Sequence, residues 1–434
     1  MEFYSTNNKN NIASFGEAVL KGIADDGGLF MPVELPKLPA NFFQDISGLS
    51  FKEISFTIAI NLLKDDLPVE ALSKIIDSAI SFDAPLLKLD EQISVLELFH
   101  GPTLAFKDFG ARFMAEVMSY LNKDEDKEII ILVATSGDTG SAVANGFLNA
   151  DGIKVVLLYP SGRVSKIQEQ QLTTLDQNIT ALEVDGTFDD CQRLVKQAFA
   201  DASLKEHVTL SSANSINIAR LIPQSFYYFN AYARTENKNL PFFVSVPSGN
   251  FGDLTGGLFA YRMGLPISKF IAAVNANDVF PKFLETSVFE AKPSIRTLSN
   301  AMDVGNPSNF ARILDLYNHN YEEIKNDIYG AGFSDIDTIG AIKEVFSKYN
   351  YMMDPHGAVG YLALKKFLAE KNQNKCNGIF LETAHPSKFA DIVEKVLNKK
   401  IEMPDSLQTC LIKKKKSIKI SKEYKDLKNF VLSI

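Results

Sequence analysis

The sequence predicts an α/β fold of parallel sheets covered by helices, and three observations lead to it. From about residue 128, short β-branched runs pass repeatedly through a Gly, Ser or Asn turn into an amphipathic stretch. Such strand, loop and helix units predict parallel sheets with helices on both faces, and ligands where loops leave the carboxyl ends of the strands. Second, 434 residues exceed one hydrophobic core, so about two to three domains are expected. Third, residues 1–92 lack the repeat and read as mostly short helices around an extended, Gly- and Pro-punctuated "GIADDGGLFMPVELPKLP", which predicts a separate N-terminal unit.

The repeating units follow in chain order. "EIIILVAT" enters "SGDTGSAVANGFL"; "KVVLLY" enters "PSGRVSKIQEQQL"; "NITALEV" enters "DGTFDDCQRLVKQAF"; "FFVSV" enters "PSGNFGDLTGGLFAYRM"; "GIFLE" enters "TAHPSKFADIVEKV". Ahead of them, "HGPTLAFKDFG" opens a helix with apolar residues at Phe106, Phe109, Phe113, Val117 and Leu121.

Composition narrows the function. A net charge of −8 disfavours a broad nucleic-acid-binding face, so small-molecule partners are expected. No apolar run nears the roughly 20 residues that cross a bilayer, and "MEFYSTNNKN" has no hydrophobic signal core, which predicts a cytoplasmic protein without a membrane partner. Cys191, Cys376 and Cys410 are odd in number and far apart, suggesting neither a disulfide framework nor a metal site. The lysine run in "LIKKKKSIKI" reads as a solvated surface segment.

Four loops bear chemistry. Lys107 lies between Phe106 and Phe109 at a helix N-terminus, a setting that disfavours an ammonium and suits a nucleophilic or basic amine; a lysine whose stem packs on the phenylalanines while its amine reaches water gives the same pattern. In "ATSGDTGSA", Thr135, Ser136, Gly137 and Thr139 offer amides and hydroxyls for a small anion such as a carboxylate, and Asp138 can face a polar hydroxyl. In "VPSGNFGDLTGG", the segment Ser248, Gly249, Asn250, Phe251 and Gly252 can present backbone N–H groups to a phosphate at a helix N-terminus, or simply form a tight helix entry. In "LETAHPSKF", Thr383 ends a strand with a neutral hydroxyl, and His385 reads as structural when taken alone. An amine, a phosphate cradle, a carboxylate loop and a neutral hydroxyl, all at strand ends, together fit pyridoxal phosphate.

These motifs, with "YSTN", "GIADDGGLFMP" and "DPHGAVGYLAL", resemble those of the threonine synthases, in the tryptophan-synthase β-chain class of pyridoxal-phosphate folds; the resemblance spans nearly the whole chain and includes the N-terminal segment of the longer bacterial and fungal type. It implies fold type II: two doubly wound sheet domains with the cofactor in the cleft, plus an N-terminal mainly helical unit. The implied division is 1–92 for the N-terminal unit, 93–127 with 241–434 for a larger cofactor-binding domain, and 128–240 for a smaller mobile one. Lys107 resembles the family's Schiff-base lysine, Gly249 to Gly252 its cofactor-phosphate cradle, and Thr383 the hydroxyl near the pyridine nitrogen. Asp138 stands where many relatives in the wider class have an asparagine near the ring hydroxyl, and Phe251 is bulky where they are often small, so its backbone must do the binding.

The implied reaction converts O-phospho-L-homoserine and water to L-threonine and phosphate by γ-elimination and β-addition of water, with the Lys107 amine moving protons. A substrate bearing its own phosphate calls for a second, cationic site. "PSGRVSKIQEQQ" offers Ser161, Arg163 and Lys166, and "SSANSINIAR" offers Asn214, Ser215, Asn217 and Arg220. Two alternatives remain open at this point: a related phospho-lyase giving a 2-oxo acid, and a catalytically silent ligand-binding homologue. A monomer or weak homodimer is expected.

Overall fold

The computed structural model of the protein describes residues 1–123 and 128–434. The N-terminal unit opens on strand β1 (Glu2–Ser5), which pairs antiparallel with β2 (Asn8–Ser14) on one side and β3 (Phe30–Pro32) on the other. This three-stranded sheet escapes a hydropathy reading because β2, "NKNNIAS", is mostly exposed and almost wholly polar. The helices Phe51–Leu63 and Val69–Ala79 supply the expected helical part; Ser50 and Glu53 form a reciprocal capping box at the first, satisfying two of its orphan amides.

Beyond it the strands run β4 (Leu86–Lys88), β5 (Ile93–Glu97), β6 (Ile129–Ala134), β7 (Ile153–Pro160), β8 (Ile179–Val184), β9 (Thr209–Ser211), β10 (Phe242–Pro247), β11 (Lys269–Val274), β12 (Ile328–Gly332), β13 (Asn377–Glu382) and β14 (Ile418–Ile420). The larger sheet has the order β12-β11-β10-β13-β5-β4, parallel except for β4. The smaller has the order β14-β8-β7-β6-β9, parallel throughout. The central strands of both sheets are buried on both faces, as their unbroken apolar runs require. In β6, Ile129, Ile131 and Val133 enter the main core while Ile130, Leu132 and Ala134 enter a second core with Leu194 and Val195. In β10, Val244 and Val246 face the main core and Phe243 a third.

The chain departs from the expected domain division in two places. Residues 218–233, expected with the smaller domain, pack on the larger sheet's side, where the Tyr227 and Tyr228 hydroxyls donate to Asp253 in the helix Gly252–Arg262 at 2.6 and 2.8 Å. The C-terminal tail, expected with the larger domain, crosses to the smaller sheet: β14 pairs with β8 (Ile418 opposite Leu182), and Leu427 and Val431 of the last helix fill the core beneath it. An open strand edge and an apolar helix stripe drive that crossing. The expected boundary at 127–128 falls beside residues 124–127, outside those described.

The lysine run is exposed, as expected of a surface segment, and part of it is ion-paired. Lys415 lies 2.7 Å from both Glu169 and Glu183, and Lys416 pairs with Asp176, so two of the four lysines fasten the tail to the smaller sheet unit. Among the described residues, no helix is long and apolar enough to cross a membrane.

Candidate active site

Parallel strands end on one side of each sheet, and a cavity of about 590 Å³ opens there, lined from both units. The loop that brings Lys107 to it is bound to its neighbour strand almost residue by residue. Leu98 N donates to Glu382 O (3.0 Å), Phe106 N to Thr383 O (2.9 Å) and His385 N to Leu104 O (3.0 Å). Lys107 and Thr383 thus hold a common register. Within the loop, Asp108 accepts from the Thr103 amide (2.8 Å) and hydroxyl (2.6 Å), and a Cβ at Gly101 would meet its carboxylate at 2.4 Å, so only glycine fits. Leu104 is held at φ 59°, a strained conformation for a γ-branched residue that the surrounding backbone bonds enforce.

Lys107 begins the helix Lys107–Asn122 and lines the cavity. Burial lowers its pKa, with Asp138 opposing and Lys388 and Arg220 reinforcing. The expected cause is half right. Phe106 flanks the amine, its ring centroid 5.7 Å from Nζ, but Phe109 turns away into a cluster with Phe51, Phe82 and Tyr227.

The segment 248–252 leaves β10 and enters the helix Gly252–Arg262, whose first-turn amides have no intrahelical acceptor. A Cβ at Gly249 would lie 2.7 Å from Met302 Cα, and Phe251 adopts φ 57° with its ring packed on Phe280. The Asn250 side chain is already engaged: Nδ2 donates to Ser215 Oγ (2.7 Å) and Oδ1 accepts from Ser308 N (2.5 Å). What the loop offers a ligand is therefore backbone, at the positive end of a helix dipole, beside an amine. These features fit pyridoxal phosphate: the cradle for its phosphate, Lys107 for its aldehyde and Thr383 for its ring.

In the 135–139 loop, the Thr135 hydroxyl turns inward to accept from Gly137 N (3.0 Å) and Gly140 N (2.8 Å), so it shapes the turn instead of reaching a ligand. Gly137 sits at φ 142° against Gln168. Ser136 and Thr139 remain on the cavity wall. Asp138 is not free: Lys388 Nζ lies 2.8 Å from its Oδ1, and Gln168 Nε2 donates to the same atom at 3.0 Å. Burial pushes its pKa up, but Lys388 and then Lys107 outweigh that and hold it well below the carboxylate range.

Of the cationic candidates, Arg163 reaches the cavity exposed at its mouth, whereas Lys166 is absent from the lining. Lys166 opens a helix capped by Ser165, which aims its side chain at solvent. Asn214 and Arg220 line the floor. Arg220 is buried, donates from Nη1 to Ala213 O (2.6 Å) and leaves Nε without a partner; burial pulls its pKa to about 10. Ser161 bonds Glu183 (2.6 Å) and Asn217 caps a helix, so neither serves the cavity. His385 is structural: its Nδ1 accepts from Ser387 N (3.1 Å), and burial lowers its pKa to about 4.

Several residues in or beside the cavity wall went unread in the sequence. Arg296 lies on an irregular stretch and His356 in the first turn of the helix Pro355–Glu370, and neither belongs to a strand-end motif. Lys388 stands in the quoted "HPSKF", yet nothing in that stretch marks it as buried.

The chain matches three family descriptions: "Pyridoxal-phosphate dependent enzyme" over residues 83–378, "Threonine synthase N terminus" over 2–80 and "Threonine synthase, C-terminal" over 357–431. It is 43% identical over 436 residues to the threonine synthase of Buchnera aphidicola subsp. Acyrthosiphon pisum, covering 100% of both chains. Its structure is similar to the crystal structure of threonine synthase from Escherichia coli, with a TM-score of 0.92, 40% identity and 100% of each chain covered. It is also similar to a pyridoxal-phosphate-bound threonine synthase from Brucella melitensis, with a TM-score of 0.93, 32% identity and coverage of 100% and 99%.

Proposed function

The chain belongs to the threonine synthase family of pyridoxal-phosphate-dependent enzymes, and we infer that its cavity converts O-phospho-L-homoserine and water into L-threonine and inorganic phosphate. The observation that carries this reading is the meeting, in one cavity, of Lys107, the 248–252 backbone cradle, Thr383 and the two arginines Arg163 and Arg220.

Bound there, the cofactor supplies an aldehyde for a lysine amine and a conjugated ring that withdraws electrons from the substrate's Cα. Lys107 would be the amine that holds the cofactor's aldehyde, and its Nζ would be the base that takes the substrate's Cα proton and returns protons along the carbon chain. Burial lowers the pKa of that amine, so it gives up its proton more readily than a surface lysine. The first-turn amides after Gly249 would hold the cofactor phosphate without cationic side chains. Thr383, a neutral hydroxyl, does not force a proton onto the ring nitrogen as a carboxylate would, which tempers the ring's pull on electrons. Arg163 at the mouth suits a phosphate that enters as part of the substrate and leaves as product, and the buried Arg220 adds positive charge to the cavity wall.

The three free cysteines, two of them buried, support a reducing, cytoplasmic setting. The deciding experiment incubates purified protein with O-phosphohomoserine and measures threonine and phosphate together. Equal amounts of both are expected; phosphate with a 2-oxo acid and ammonia would favour the phospho-lyase, and no turnover a silent binder.

A further inference from the structure

Lys388 has a fully buried side chain beside the cavity, yet it does not line it. Three parts of the fold meet on its ammonium. It stands on the turn Pro386–Phe389 that follows β13 of the larger sheet. Nζ lies 2.8 Å from the carboxylate of Asp138, in the first turn of the helix that follows β6 of the smaller sheet. It also donates, at 2.8 Å, to the carbonyl of Thr103 in the loop leading to Lys107. Both acceptors are held from a second side, Asp138 by Gln168 (3.0 Å) and Thr103 O by Gln171 Nε2 (3.2 Å).

Lys107 is placed differently. No ion pair to it is found among the described residues, and the charges facing it are Asp138 and Lys388, with Arg220 and Asp354 from the other walls. One carboxylate between two lysines can neutralise only one ammonium, and the contact distances give it to Lys388. We propose that Lys388 is a positioning residue for Lys107: it occupies the Asp138 carboxylate, so the Lys107 amine has no counter-ion and gives up its proton, and it pins the Lys107 loop across the gap between the two sheets. The proposal rests on the reading of Lys107 as the reacting amine.

Removing the Lys388 charge leaves Asp138 facing Lys107 alone, which favours a proton on the Lys107 nitrogen. The test compares the full-length parent, Lys388→Gln, Lys388→Arg and the double variant Asp138→Asn/Lys388→Gln. Two readouts are taken: the pH midpoint of the bound cofactor's visible absorbance, and the pH dependence of acetic anhydride labelling of Lys107 in cofactor-stripped protein, with thermal unfolding checking the fold. Lys388→Gln should move both midpoints up by at least about one pH unit. Lys388→Arg should restore them to near the parent. The double variant, with neither charge left, should also lie near the parent, and it serves if Lys388→Gln alone does not fold: a midpoint then displaced upward by about one unit overturns the proposal. So does an unshifted midpoint in folded Lys388→Gln. A borohydride-fixed cofactor on another lysine sinks the reading of Lys107 and this proposal with it, whereas an unshifted midpoint on a correctly labelled Lys107 sinks the proposal alone.

Discussion

At Lys107, function and stability pull in opposite directions. Burial lowers its folded-state pKa, so a proton binds the unfolded chain more readily, and folding is penalised at pH values where a free lysine is charged. The penalty fades as pH rises towards the ordinary lysine value of about 10.4. Lys107→Met should therefore raise the Tm of the cofactor-free protein at pH 7, with the gain shrinking towards pH 10, while turnover falls by at least about 10²- to 10⁴-fold. A Tm unchanged or lowered at pH 7 in this variant would contradict the burial argument. Lys107 was legible because an amine inside an apolar helix start is conspicuous, and Thr383 because it ends a strand. Lys388 and Gln168 were not, since their meaning comes from Asp138, which the chain supplies some 250 and 30 residues earlier. Lys166 lies off the cavity lining, because sequence proximity to Arg163 says nothing about which way a helix start points a side chain.

Among elements, the cradle loop has little freedom. A methyl at Gly249 would press on Met302 Cα (2.7 Å) and Ala301 O (3.0 Å), both backbone, so neither can rotate aside. Gly249→Ala should weaken cofactor binding at least about tenfold, about 1.4 kcal/mol, as read by titrating the cofactor's absorbance. The helix it opens is tied to the helix Phe226–Ala233 through Asp253, whose carboxyl is raised by burial to about 6 despite the two tyrosine hydroxyls it accepts from. Between about pH 4 and 6 the folded chain keeps a proton that the unfolded chain has released, so stability falls as pH rises through that window. Asp253→Asn keeps the acceptor without the charge; it should remove this slope and be more stable than the parent at pH 7, measured by denaturant unfolding across pH 4–8. Five strand and helix units were visible as β-branched runs ending in small residues. The short β9 and β14 and the polar β2 were not, because neighbours and not local composition make them strands, and β5, β11 and β12 lay outside the repeated turn pattern.

For the whole molecule, the parallel sheets and the cleft followed from the repeat, but the crossing of the tail did not, since an exposed "SIKI" carries no sign of the edge it joins. Deleting residues 412–434 should raise amide hydrogen exchange in β8 and β7 while leaving β10 and β13 protected. Unchanged protection in β8 would show that the tail is ornamental. The same crossing sets a timetable during translation. β8 ends at Val184, and the strand that covers its edge begins only at Ile418. At about 5–20 residues per second, a nascent chain holds that edge unpaired for on the order of ten to fifty seconds, with apolar Leu182 and Val184 behind it. A ribosome that stalls late in the message thus carries a chain with the loops of its cavity complete and one adhesive edge open, an edge that β14 closes in the finished chain.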